Sequence, residues 1–156
     1  MIYVECKPDL ALVKSLTNVT RRGITHEFKG KGEICNRLRK QTNCKGLVDE
    51  DPTSAQPPYV KEARLENDLS EHEIKLLYDG TNNNYLIVLC PRLEEWILKA
   101  AREAGKDVRK YDLPNDAARL HRHINISLDR FENLLEDLKD SSSRMKILKG
   151  LLERGQ

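Results

Sequence analysis

Apolar positions along this chain change period in a regular way. Residues 2–6 form a short apolar run ending in Glu5 and Cys6 and read as a first strand. Pro8 suits the first turn of a helix, and Leu10, Val13 and Leu16 follow at helical spacing. Ile24, His26 and Phe28 then alternate with Thr25 and Glu27, the pattern of a second strand. Gly30-Lys31-Gly32 reads as a turn. After it, Ile34, Cys35 and Leu38 line one face of a second helix, with arginines and lysines on the other. Gly46-Leu47-Val48 is a third strand, which Asp49-Glu50-Asp51-Pro52 leaves. The order β-α-β-α-β predicts a parallel sheet with right-handed crossovers.

Residues 52–70, with Pro52, Pro57 and Pro58 and then a charged stretch, read as a long loop next to that strand end. Ile74–Tyr78 and Tyr85–Leu89 flank Asp79-Gly80-Thr81-Asn82-Asn83-Asn84, strong turn chemistry that predicts a hairpin. Ser70-Glu71-His72-Glu73 also fits a capping box, so a helix over 71–78 competes with it. Beyond Pro91, Leu93, Trp96, Ile97 and Ala100 predict a helix that Gly105 stops. Residues 106–115 read as a linker. Ser127 is expected to cap a helix carrying Leu128, Phe131, Leu134, Leu135 and Leu138. Ser141-Ser142-Ser143 breaks it, and Met145, Leu148, Leu151 and Leu152 mark a last helix. The expected organisation is an α/β domain over residues 1–105 with a C-terminal helical extension over 106–156. That extension either packs on the sheet or offers a homodimer surface.

At 156 residues, with 38% hydrophobic and 33% charged residues, the chain is long enough for one domain with a real core. No apolar run approaches the roughly 18–20 residues that cross a membrane. The N-terminal residues carry no basic flank and no long apolar stretch, so a cytoplasmic setting is expected. Cys6, Cys35, Cys44 and Cys90 form no C-x-x-C pair, which disfavours a structural zinc site. Net charge is +2, but residues 1–48 hold ten Lys or Arg against four Asp or Glu, about +6, leaving about −4 for the remainder. That asymmetry suits either a polyanionic partner or a solvated helical face.

The candidate chemistry is acidic. Glu5 and Asp9 lie four residues apart at the end of the first strand, and Asp49 and Asp51 lie two apart at the end of the third. In an open parallel sheet that edge is where ligands bind. Carboxylates gathered there repel one another unless a cation holds them, so the pattern points to a hard divalent ion, Mg²⁺ or Mn²⁺. Asp49 and Asp51 in extended chain are expected to point the same way, with Glu50 turned aside. Such ions promote phosphodiester chemistry, and Glu5 is alternatively placed as a general acid or base. A helix-cap or turn role for Asp9 and Asp49 is the competing reading. Glu94 and Glu95 are weaker candidates at the same edge. His121 and His123, two apart, diverge on a helix and make a poor metal pair.

These motifs resemble the Toprim family, shared by topoisomerases, primases and nucleases of the overcoming-lysogenization-defect type. Val4-Glu5-Cys6-Lys7 looks like the family's first motif, usually V-E-G-K, and Val48-Asp49-Glu50-Asp51 looks like its D-x-D motif. Asp9 matches an aspartate found four residues after the glutamate in the nuclease branch. Cys6 and Pro8 depart from the usual pattern, and no residue is assignable to that branch's late catalytic lysine. The resemblance implies a small stand-alone Toprim-like protein whose Glu5, Asp9, Asp49 and Asp51 bind Mg²⁺ or Mn²⁺. Its implied activity is cleavage of DNA or RNA, with Glu5 also catalytic. The basic residues Lys7, Lys31, Arg37, Arg39 and Lys40 are the expected nucleic-acid contacts. A non-catalytic nucleic-acid- or partner-binding module is the alternative.

Overall fold

The computed structural model describes residues 1–26 and 30–155. In chain order the elements are β1 (Ile2–Val4), α1 (Lys7–Leu16), β2 (Ile24–His26), α2 (Lys31–Lys40) and β3 (Lys45–Asp49). There follow α3 (Pro58–Glu62), β4 (Arg64–Leu69), β5 (Ile74–Asp79), β6 (Asn84–Leu89) and α4 (Leu93–Glu103). The chain then continues with α5 (Ala117–Ile126), α6 (Asp129–Leu138) and α7 (Ser143–Glu153). The strands form one sheet in the order β2-β1-β3-β6-β5-β4. The pairings from β2 to β6 are parallel, and those of β6 with β5 and β5 with β4 are antiparallel. This is an α/β, mostly parallel, Rossmann-like fold flanked by helices.

Successive residues of the central strands enter opposite cores, as the period of two requires. Ile2, Val4, Leu47, Ile87 and Leu89 join one cluster with apolar residues of α1, α4, α5, α6 and α7. Tyr3, Val48, Leu86 and Val88 join a second with Ile34, Cys35 and Leu38 of α2 and Tyr59 of α3. The crossover helices α1 and α2 therefore lie on opposite faces of the sheet. At the C-terminal end of β1 the chain turns toward β2, and at the end of β3 it turns away toward β4. The crevice between those two ends is a topological switch point, where open α/β sheets bind ligands.

Several expectations change. The first strand stops at Val4, and Cys6 precedes α1 as its cap residue. Phe28 and Glu27, expected in the second strand, lie outside the described residues. The stretch 52–70 is not all loop. It holds α3 and the edge strand β4, whose residues Arg64-Leu65-Glu66-Asn67-Asp68-Leu69 leave most side chains to solvent and so carry little apolar pattern. Residues 74–79 are strand, and the capping-box residues 70–72 form only a single 3₁₀ turn. The stretch 106–115 includes a 3₁₀ turn, Val108–Tyr111, whose Val108 is buried. Ser127 ends α5, and the helix after it starts at Asp129. Phe131, Leu134, Leu135 and Leu138 of α6 are fully buried in this chain's own core beside α1. Among the described residues no helix is long and apolar enough to cross a membrane.

Candidate active site

A cleft of about 360 Å³ opens at the switch point. Glu5 enters it from the end of β1, Asp49 and Asp51 from the end of β3, Glu94 from the first turn of α4 and His121 from α5. Lys31 at the start of α2 and Arg92 just before α4 complete its charged lining. Each acidic group arrives there because a buried strand has just ended. Val4 and Val48 are inaccessible or nearly so, and the next polar residue is the first that can face water.

The carboxylates are fixed by the backbone. Glu5 Oε1 accepts a hydrogen bond from the Asp49 N–H at 2.9 Å, which ties the end of β1 to that of β3. Asp49 Oδ1 accepts one from the Leu93 N–H at 2.9 Å. Leu93 is the first residue of α4, so Asp49 satisfies an orphan donor at the positive end of that helix. Asp9 is 4% exposed, lies behind the cleft wall, and accepts a hydrogen bond from the Cys6 thiol at 3.2 Å. Glu94 is also buried, and its Oε1 lies 2.7 Å from His121 Nδ1.

Proximity and burial shift these groups together. Asp49 is pushed up to about 8, by burial first and then by the charges of Asp9, Glu5 and Glu94. Asp9 is pushed up to about 7, again mainly by burial, with Glu5 and Glu94 adding to the effect and the Cys6 hydrogen bond opposing it. Burial also raises Glu5, against the Asp49 N–H and the Lys31 charge, which lower it. Burial first, and the charges of the acidic neighbours second, thus disfavour ionisation of Glu5, Asp9 and Asp49 together.

Asp51 is placed differently. β3 ends at Asp49, and Asp51 adopts a left-handed backbone with φ of 45°. Its Oδ1 accepts from the Arg92 guanidinium at 3.0 Å and its Oδ2 from the Ser54 hydroxyl at 2.5 Å. These bonds hold its carboxylate below the usual range. Asp51 lines the cleft as the partner of Arg92, and strand alternation does not govern its direction.

The basic residues are spread out. Lys31 Nζ donates to the Glu50 carbonyl at 2.7 Å and to Gln56 Oε1 at 2.9 Å, holding the cleft's entrance loop. Lys7 is exposed at the start of α1 and lines a separate hollow between α1 and α6 with Lys14, Arg21 and Glu132. Arg37 pairs with Glu33, and Arg39 pairs with Glu62 and lies over the Tyr59 ring. With the exposed Lys40, Arg37 and Arg39 fall in the last turn of α2, roughly 10 Å of helix from Lys31 and toward the opposite edge of the sheet. Only Lys31 of the five reaches the acidic cleft.

Arg92 is a cleft residue the sequence reading did not reach, and His121 is one it weighed only as half of a poor metal pair with His123. Arg92 lies three residues beyond β6, the strand that neighbours β3, which is a signal once the strand order is known. His121 carried no such signal, because α5 reaches the cleft by packing on α4 and α1.

The donor set is all oxygen, the chemistry a hard divalent ion prefers. Among the described residues, no group of three or more His, Cys, Asp or Glu side chains converges closely enough to hold a metal ion as it stands. Comparison with protein-family models, with curated proteins and with solved structures finds no match.

Proposed function

We propose that this protein is a Toprim-like, divalent-metal-dependent phosphodiesterase acting on DNA or RNA in the cytoplasm. One observation carries the reading: Glu5 and Asp49 meet in the cleft at the switch point beside Glu94, with the buried Asp9 close by, and Asp9 and Asp49 have no cation among their main influences. Structural carboxylates are normally paired, whereas burial first and like charge second raise Glu5, Asp9 and Asp49. The position of Glu5 after β1 and of Asp49 after β3 supports the Toprim affiliation.

In this reading Glu5 and Asp49, with Asp9 behind them, hold Mg²⁺ or Mn²⁺. An ion held there would supply charge neutralisation and Lewis acidity toward a phosphoryl group. Lys31 and Arg92 stand beside the acidic wall as cations, suited to flanking phosphates of a nucleic-acid strand. The Asp49 N–H fixes one oxygen of Glu5, leaving Oε2 as the atom that takes or gives a proton. All four cysteines are unpaired thiols, as a reducing cytoplasm would keep them.

The test is cleavage of supercoiled plasmid and of a labelled RNA with Mg²⁺ and with Mn²⁺, alongside the variant Glu5→Gln/Asp49→Asn. Asparagine keeps an oxygen to accept from the Leu93 N–H, so the helix start is preserved while the charge is lost. Metal-dependent cutting by the wild type that falls at least about 100-fold in the folded variant is the expected outcome. A wild type that cuts neither substrate with either ion would sink the reading. The engagement of Asp51 by Arg92 and Ser54 favours a non-catalytic binding module in that event. Its mark would be nucleic-acid binding that survives chelation.

A further inference from the structure

We propose that His121, held by Glu94, is the group that protonates the leaving oxygen in this cleft. This assignment rests on the phosphodiesterase reading and names a residue that the Toprim resemblance does not supply. Glu94 is 6% exposed and sits in the first turn of α4, where its carboxylate reaches His121 Nδ1 at 2.7 Å. A carboxylate accepts, so Nδ1 carries the hydrogen of that bond and the ring's orientation is set. Asn125, one turn later on α5, donates to the His121 backbone carbonyl at 2.6 Å. The imidazole itself is exposed and lines the cleft with Glu5, Asp49, Asp51, Lys31 and Arg92. Nε2 is therefore the nitrogen available to a bound strand.

A buried carboxylate orienting an exposed imidazole is the arrangement of a proton donor or acceptor. A structural histidine would be expected to bury its ring and bond both nitrogens. Here the carboxylate is buried and the ring is left at the surface. In the reaction a water oxygen bonds to phosphorus as the bond from phosphorus to the ester oxygen breaks. The departing oxygen takes the Nε2 proton of the imidazolium. Water loses one proton to solvent, the neutral imidazole regains one, and the net change is addition of one water. Glu94 orients the ring through Nδ1, and Lys31 and Arg92 line the same cleft as cations suited to the phosphate.

The experiment uses the oligonucleotide that the wild type cuts, after its product ends identify the leaving oxygen. A second oligonucleotide carries sulfur in place of that bridging oxygen, because a thiolate departs without a proton. His121→Ala lies on an exposed helix face and replaces a poor helix former with the best one, so the fold is kept. The expected result is a loss of about 10²–10⁴-fold on the oxygen substrate and a nearly unchanged rate on the sulfur substrate. Glu94→Gln should lose less, with the same dependence on leaving group. In parallel, the His121 ring signals of the wild type should shift in NMR when an uncleavable phosphorothioate oligonucleotide binds without metal. Equal losses on both substrates, no loss on either, or unmoved ring signals at saturation would each overturn the assignment. Those outcomes leave the phosphodiesterase reading standing. A wild type that cuts no oligonucleotide at all sinks that reading and the assignment with it.

Discussion

A carboxylate that caps a helix is ordinarily easy to ionise, yet Asp49 both accepts the first N–H of α4 and resists ionisation to about pH 8. Burial and like charge outweigh the helix dipole there. Asp9 shows the same balance more simply. Among the described residues it is faced by Glu5, Cys6, Asp49 and Glu94, and burial, with the charges of Glu5 and Glu94, pushes it up to about 7 from an ordinary 3.8. The folded chain then holds a proton that the unfolded chain has released. Between about pH 4 and pH 7 the folded state binds more protons, so stability falls as pH rises through that window. The metal-free protein should therefore show a lower urea midpoint at pH 8 than at pH 5. Asp9→Asn should flatten that slope, and Mg²⁺ at pH 8 should restore much of the loss. An identical slope in wild type and variant would count against this account. Glu5 and Asp49 were legible in the sequence because each closes an apolar run, and a strand end fixes where a side chain emerges; Asp9 was legible from its place in the first turn of the helix that follows. The direction of Asp51 was not legible, since one left-handed residue cancels strand alternation. Nor was the pairing of Glu94 with His121, whose partners are separated by 27 residues and meet only through helix packing.

Elements differ in how plainly they announce themselves. β1, β3 and β6 are buried on both faces and read as continuous apolar runs. The faces of α1, α2, α4 and α6 repeat at 3.6 residues. β4 sits at the sheet's edge with its residues largely exposed, and α3 has only five residues, so neither leaves a period to find. Asn84 illustrates a different gap. In the sequence it closes a turn-forming run, but in the fold it is fully buried at the start of β6. Its Nδ2 donates to the carbonyls of Leu38 at 2.7 Å and Gln41 at 2.9 Å, and its Oδ1 accepts from the Cys44 N–H at 2.8 Å. One amide thus joins the end of α2 to the starts of β3 and β6. Asn84→Ala strips partners from three buried backbone groups and should cost about 3 kcal/mol, read as a fall in the urea midpoint at unchanged slope. A change below about 0.5 kcal/mol would show that water replaces the amide there.

Across the molecule, the C-terminal helices complete the core and are not an addition to a finished domain. α6 buries its apolar face beside α1, and α7 packs on α1 and α4. Arg144 of α7 is 2% exposed, reaches Glu103 at 2.6 Å and Glu73 at 3.2 Å, and lies over the Trp96 ring. Arg144→Ala removes both the packed stem and these bonds, and should destabilise by about 2–4 kcal/mol. For a chain of this size that is a fall in melting temperature of several degrees, measurable by scanning calorimetry. A variant melting within a degree of wild type would show that α7 is held by its leucines alone. Lys45, the first residue of β3, is nearly buried and donates from Nζ to the Leu152 carbonyl at 2.6 Å near the end of α7. On a ribosome the central strand emerges about a hundred residues before the helix that must cover it and take its ammonium. Until residues 143–153 have left the tunnel, the part of that core which α7 covers and the Lys45 ammonium lack their partners, and the nascent chain exposes apolar surface there.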